Sequence, residues 1–311
     1  MESNYLGITE FTSFISPDGR EFVFDSPKKA LLTENGFGMP NILLITQKGP
    51  FQHGETVIDY RLAPRNIQLL FRQNGDNRDD YWSLRSELLD FLRPNRSSPS
   101  TNSTGKLRKR FLNGTVRDID VLSVGGPEFV ARSLDRWDEW GFTETLRFIA
   151  HDPTFYDPEE VVIDFDLTAQ SQNNLIFPIT FPIEFGSLIS DETIAAPYVG
   201  TWTTFPRITI TGPGKNINLE NLSTGENIRI LYELSSGETI TIDCSYGNKT
   251  VENGSGDNLI GTLSIDSDLT TFHIASEPEV TGGINNIRLF ISEIDSNSSA
   301  QLRFFTRFIG I

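Results

Sequence analysis

The chain has 311 residues, 37% hydrophobic and 22% charged, a composition that can bury a core and is unlike that of a disordered chain. Its 26 Lys and Arg against 42 Asp and Glu give a net charge of −16 and a pI near 4.6. That balance excludes nucleic-acid binding through bulk electrostatics and attraction to an anionic membrane. The single cysteine, Cys244, excludes an internal disulfide and a zinc site built on several thiolates.

The length suits two ordinary domains better than one. Aromatic residues fill pleated surfaces and glycine supplies turns, so 23 Phe and 25 Gly point to β-rich architecture. The opening MESNYLGITEF has neither a basic nor an apolar leader region, so no signal peptide is expected. The most apolar stretch, Leu175–Phe185, is interrupted by Pro178 and Pro182 and is too short to cross a bilayer as a helix. The expectation is a soluble protein without a membrane segment.

In chain order, Thr56–Leu62 (TVIDYRL) and Asn66–Phe71 (NIQLLF) read as strands separated by Ala63-Pro64-Arg65. Asp76 to Asp80 then supplies N-caps and first-turn acids. Tyr81, Leu84, Leu88, Phe91 and Leu92 recur at three- and four-residue spacing, which predicts one helix ended by Pro94 and packed on a sheet. Arg96–Gly105 (RSSPSTNSTG) is a polar loop. Leu107–Arg110, the alternating Val116–Val124 and Thr145–Ala150 are further strands.

Residues 1–155 carry 19 basic and 21 acidic side chains, and residues 156–311 carry 7 and 21. The shift places a domain boundary near Asp152-Pro153-Thr154-Phe155-Tyr156-Asp157-Pro158, where two X-Pro steps stiffen the chain. The domains are therefore 1–155 and 156–311. Beyond the boundary nearly everything alternates with period two: Arg207–Thr211, Asn227–Leu234, Glu238–Asp243, Asn286–Ile291 and Gln301–Phe308. Turns such as Gly212-Pro213-Gly214 and Tyr246-Gly247-Asn248 separate them, the pattern of a β-sandwich or jelly roll.

Catalytic and metal motifs are missing. His53, His151 and His273 each stand alone, without the paired spacing of a metal site, and read as surface or structural residues. No Gly-x-Ser-x-Gly elbow occurs, and Cys244 reads as a small strand residue. Gly212-Pro213-Gly214-Lys215 is a turn rather than a phosphate cradle, because proline removes an N–H. Asp76, Asp80 and Glu87 fit part of a calcium-loop register, but Arg78 and Tyr81 occupy positions that need an oxygen ligand and a glycine. Glu87 therefore reads as an exposed helix residue. Carboxylate pairs at glycosidase separations arise by chance among so many acids. Trp137 and Trp140 read as loop anchors rather than sugar platforms. No catalytic, metal or cofactor residue is assigned and no ligand-binding residue is identified.

Five segments in order resemble the distal tail protein family of long-tailed bacteriophages. They are GETVIDYRLAPRNIQLLF from Gly54, YWSLRSELLDFLRPN from Tyr81, LRKRFLNGTVRDIDVLSVGGPEF from Leu107, LRFIAHDPTFYDP from Leu146, and FPITFPIEFG from Phe177 followed by GTWTTFPRITITGPGKNINLENLSTGENI from Gly200. No single motif is specific; order and spacing carry the likeness across nearly the whole chain. The loop 96–105 departs from the pattern in being longer and richer in Ser and Thr.

The resemblance implies a mainly β protein. Its N-terminal domain would be a tail-tube-like β-barrel or sandwich with one α-helix, and a galectin-like β-sandwich would follow. It implies a structural virion protein, not an enzyme and without a cofactor, forming a homohexameric ring at the distal end of the tail tube. Its partners would be copies of itself, the tail tube protein, a tail-tip or tail-associated hub protein, and receptor-binding proteins. DNA would pass through the ring without sequence-specific binding, and no membrane would be involved. The nearly balanced charge of the first half suits repeated self-contact. The alternative is a glycan-binding adhesion module acting through the second domain, with Trp202 or Tyr246 as a stacking platform. A tail-associated glycan hydrolase lacks any motif.

Overall fold

The structure, a computed structural model, describes residues 10–93, 104–129, 140–167, 170–171 and 188–311. Among the described residues the chain is mainly β with one α-helix, and it divides into two compact units: Met1–Pro158 with Phe308–Ile311, and Glu159–Arg307. The last four residues thus return to the first unit.

The first unit holds β1 (Phe11–Ile15), β2 (Glu21–Val23), β3 (Lys29–Asn35), β4 (Ile42–Gln47), β5 (Thr56–Leu62) and β6 (Arg65–Asn74). Helix α1 (Arg78–Leu92), β7 (Gly105–Arg110), β8 (Val116–Gly125), β9 (Gly141–Ala150) and the start of β10 (Phe155–Phe165) follow. Antiparallel pairing runs β3-β6-β9-β8-β7-β1-β2. One strand serves both layers: β8 pairs with β7 through residues 116–121 and with β9 through 122–125, across a register shift at Ser123/Gly125. Among the described residues the strands do not close, so the unit is sandwich-like and not a barrel.

Its interior is aromatic. Phe22, Phe24 and Phe71 lie with ring centroids 5.3–5.8 Å apart in edge-on arrangements, a geometry that adds to area burial. Helix α1 begins within the Asp76–Asp80 segment expected to cap it: Asn77 accepts the Asp80 N–H at 2.9 Å, and Asp79 and Asp80 are the first-turn acids. It buries Leu88, Phe91 and Leu92 and sets Phe91 5.1 Å from Phe22. Arg65, read from the sequence as part of a linker, is the first residue of β6. Gly105, read as the end of a loop, opens β7 instead. A Cβ there would lie 2.5 Å from the Phe14 ring, so only glycine fits. Most of the 96–105 loop, Trp137, and the apolar stretch Leu175–Phe185 fall outside the described residues.

The second unit is a β-sandwich. Past Pro158, β10 lies in one sheet with β19 (Ser299–Phe308), β13 (Arg207–Thr211), β16 (Thr239–Asp243) and β17 (Thr250–Asn253). The other sheet runs β11 (Gln170–Ser171), β12 (Leu188–Pro197), β18 (Ile284–Ser292), β14 (Lys215–Asn221), β15 (Glu226–Ile230). Alternate residues meet between them: Ile208, Ile210, Ile240, Ile242 and Leu302 from the first, Ile217, Leu219, Ile228, Leu289 and Ile291 from the second, all fully buried. Each such side chain contributes about 1.5–3 kcal/mol relative to exposure. The strand expected over Asn227–Leu234 ends at Ile230; beyond it Leu231 donates to the Thr262 carbonyl and Leu234 pairs with Gly214.

Cys244 is fully buried in this core, and burial pushes its thiol up to about 12. A maleimide at pH 7.5 is expected to leave the native protein unlabelled and to modify it stoichiometrically in guanidinium. Rapid labelling without denaturant would contradict the packing.

Candidate assembly surface

Among the described residues, strands β4 and β5 pair only with each other, and neither contains a buried residue. A lone two-stranded hairpin is at best marginally stable in water. Paired positions share a face of the ribbon. One face carries Ile42 with Leu62, Leu44 with Tyr60, and Thr46 with Val57, so it holds no charge. The other carries Leu43 with Arg61, Ile45 with Asp59, and Gln47 with Thr56. Ile58 is the extra residue at the bulge between them. Leu44 is 60% exposed, Ile58 60% and Tyr60 52%, and Phe51 at the tip is 98% exposed. Contiguous exposed apolar surface with open strand edges marks a place where another chain pairs and packs.

The base of this hairpin is held by one buried arginine. Arg65, three residues after β5 and 3% exposed, donates through Nε to the Pro153 carbonyl at 2.8 Å. Its Nη1 reaches the carbonyls of Gly36, at 2.6 Å, and Gly38, and its Nη2 reaches that of Ile309 at 2.7 Å. The guanidinium also lies over the Phe155 ring, 4.8 Å from its centroid. Burial pushes Arg65 down to about 10, so it remains charged at neutral pH. Carbonyl dipoles rather than a carboxylate satisfy it. Around it the backbone is tight. Gly36 has φ +95° and a Cβ on it would lie 2.3 Å from the Asn66 carbonyl oxygen. Ile311 donates to the Phe37 carbonyl at 3.0 Å and Ala63 to that of Asn41 at 2.8 Å. The segments entering and leaving the hairpin, the Pro153 turn and the chain's last residues are thus fixed at one point.

The histidines and the calcium-like register fall elsewhere. Asp76 and Asp80 hold the Lys28 ammonium at 2.6 and 2.8 Å, and Glu87, exposed on α1, lies 3.5 Å from Lys29. His53 sits exposed in the hairpin loop and His151 is exposed. His273 is in the second unit, its Nδ1 2.9 Å from Glu226 and its Nε2 3.1 Å from Glu279, a pairing that its isolation in sequence does not reveal. Trp140 is half-buried, and its carbonyl accepts the Gly75 N–H at 2.6 Å. Trp202 is half-buried, its N–H held by the Arg307 carbonyl at 3.2 Å, whereas Tyr246 is 75% exposed.

The chain is thus a two-unit β protein whose first unit presents an apolar hairpin with no further strand partner among the described residues. Residues 18–99 match the family model for the phage tail protein RIFT-related domain, and residues 199–283 match that for the C-terminal domain of siphovirus-type tail components. Together they cover just over half of the chain. The chain belongs to the distal tail protein family of siphophages, and it is a structural component of the virion at the distal end of the tail. No curated protein matches it in sequence. Among solved structures, the Dit protein of phage SPP1, described as a paradigm of the hub adsorption apparatus in phages infecting Gram-positive bacteria, is similar with a TM-score of 0.60 at 14% identity, covering 96% of this chain and 99% of that one. A chain of the phage P2 baseplate in its calcium-activated conformation has a TM-score of 0.48 at 12% identity, covering 97% and 100%. At such identities the likeness is one of fold.

Two outcomes follow from the side chains above. Replacing Arg65 by Met leaves its acceptor carbonyls buried and unpaired, and is expected to destabilise the first unit by about 3 kcal/mol, a fall of roughly 10 °C in Tm. An unchanged melting curve would contradict the clamp. For His273, burial alone would lower the imidazole, but the Glu226 carboxylate, assisted by Glu279, raises it to about 9 from an ordinary 6.5. The pairing therefore stabilises the fold fully below pH 6.5 and is lost as pH rises through about 9. Wild-type Tm should drop between pH 7 and 10 by more than that of His273→Gln; parallel curves would refute the assignment.

Proposed function

We propose that the protein forms a homohexameric ring at the distal end of the tail tube, a hub that joins the tube to the baseplate or tail tip. The first unit builds the ring, and the second offers a surface to other tail proteins, including a tail-associated hub protein and receptor-binding proteins. DNA passes through the ring without being read. The work is done by interfaces rather than by catalysis.

The observation that carries this reading is the β4–β5 hairpin. Among the described residues its uncharged face has no partner, and its two strand edges offer backbone groups outside any ladder. A second copy answers both needs: a neighbouring hairpin can pair along the edge while the apolar faces pack. Repetition of one heterologous contact closes into a ring when the rotation fits. Asp59 and Arg61 leave the hairpin strands without net charge, so successive copies do not repel. Membership of the distal tail family and the tail-component models on both units support the setting.

Light scattering after size exclusion, with negative-stain images of the same fraction, tests the proposal. Six copies of 34.9 kDa, about 209 kDa with a central hole, are expected. Leu44→Asp should run as a single chain with an unchanged Tm, because Leu44 is exposed within the free chain. A strict monomer at all concentrations, or a ring that survives Leu44→Asp, would contradict hairpin-driven assembly.

A further inference from the structure

The chain passes between its two units twice, at Pro158/Glu159 and at Arg307/Phe308. The second passage falls at the end of β19, within the strand itself. On one side of it, Arg307 is pinned inside the second unit. Its N–H donates to the Tyr198 hydroxyl at 2.9 Å, and its carbonyl accepts the N–H groups of Thr201 and Trp202 at 3.0 and 3.2 Å. Tyr198 is buried, and its hydroxyl donates in turn to the Trp202 carbonyl. Gly200 completes this turn: a Cβ there would lie 2.5 Å from the Arg307 carbonyl oxygen, so no side chain fits.

The next four residues are held as closely inside the first unit. Phe308 packs against the aromatic core, its ring centroid 3.9 Å from the Arg117 guanidinium, which Asp157 holds at 3.1 Å. The Ile309 carbonyl accepts from Arg65 Nη2 at 2.7 Å, and the Ile311 N–H donates to the Phe37 carbonyl at 3.0 Å. Between them, a Cβ on Gly310 would come within 2.9 Å of the Gly38 backbone. Phe37 and Gly38 lead into β4 and Arg65 follows β5, so every one of these contacts except that of Phe308 falls on the root of the hairpin.

Anchors two residues apart leave the chain no slack. The Cα atoms of Arg307 and Ile309 can stand at most about 7 Å apart however far the backbone is drawn out. A loop absorbs a displacement of one end, whereas a strap this short passes it to the other. The two glycines sharpen the effect, because at each the backbones already touch and cannot give way to a side chain.

We propose that Arg307–Ile311 is a taut strap coupling the Tyr198 turn of the second unit to the root of the hairpin, so that the order of the root depends on how that turn holds Arg307. The proposal concerns the single chain and holds whether or not copies pair through the hairpin. Hydrogen–deuterium exchange on the full-length chain tests it, with all variants compared in the same assembly state. Gly200→Ala should speed exchange of the Ala63 amide, which closes the root on the Asn41 carbonyl, at least tenfold, although the substitution lies in the other unit. Gly310→Ala should in return speed the Thr201 and Trp202 amides, because coupling is reciprocal. Ile309→Ala keeps the backbone carbonyl and should change either set by less than twofold. Tyr198→Phe, which removes only the hydroxyl, supplies the same comparison if Gly200→Ala melts early. The proposal is overturned if a variant in either unit leaves the other unit's amides at the wild-type rate, or if Ile309→Ala loosens both sets as the glycine variants do.

Discussion

The buried guanidinium of Arg65 ties together the segments around the hairpin of the first unit. Arg65 gives its guanidinium to carbonyls from the segment before the hairpin, from the turn ahead of β10 and from the chain's end, 27 to 244 residues away in sequence. A guanidinium presents five donors in a rigid fork, and no other side chain could satisfy so many acceptors at once. Everything the hairpin does depends on this anchor. Two strands that bury nothing of their own take their direction from the point where they leave the sandwich, and that point is where Gly36, Gly38 and Arg65 meet. The apolar ribbon is thereby aimed and available, a condition that a repeating contact between copies requires.

The second unit solves a different problem with a simpler device. Strict alternation sends isoleucines into the space between the sheets and leaves threonine, arginine and carboxylate on the outside. The core is secured by one set of residues, and the exposed set is free to vary in chemistry. Asp243 joins the two roles: it is nearly inaccessible, yet it accepts from Arg207 and Asn248 on the outer side of the sheet. The high negative charge of this half is carried on its outside, where it discourages stray self-contact.

Much of the secondary structure was legible because local chemistry and tertiary packing agree. Thr56–Leu62 and Arg207–Thr211 begin and end where alternation and turn residues place them. Helix α1 is legible in Leu88, Phe91 and Leu92, whose spacing is the spacing of the buried face. Lys215–Asn221 does not read as a strand because its three asparagines lower strand propensity, although Ile217 and Leu219 alternate inward. The exposure of the hairpin is hidden in the sequence for a physical reason. Alternation in β5 reads as a half-buried strand, and nothing local distinguishes a strand covered by its own chain from one that waits for another. Arg65 gave only a faint signal, a cation leading an apolar run, because its partners are backbone carbonyls that leave no mark in composition. His273 was likewise opaque: its carboxylates are 47 and 6 residues away, and only the fold brings both to one ring.

The central claim is that β4 and β5 are strands of the assembly before they are strands of the chain. Hydrogen–deuterium exchange of the amides in Ile42–Gln47 and Thr56–Leu62, compared between the single chain and the assembled species, addresses it at the backbone itself. Edge amides open to water in the free chain should become protected by orders of magnitude on assembly, while amides in the sandwich cores change little. Equal exchange of the hairpin in both species would mean that the chains meet elsewhere, and that the hairpin is not the contact that closes the ring.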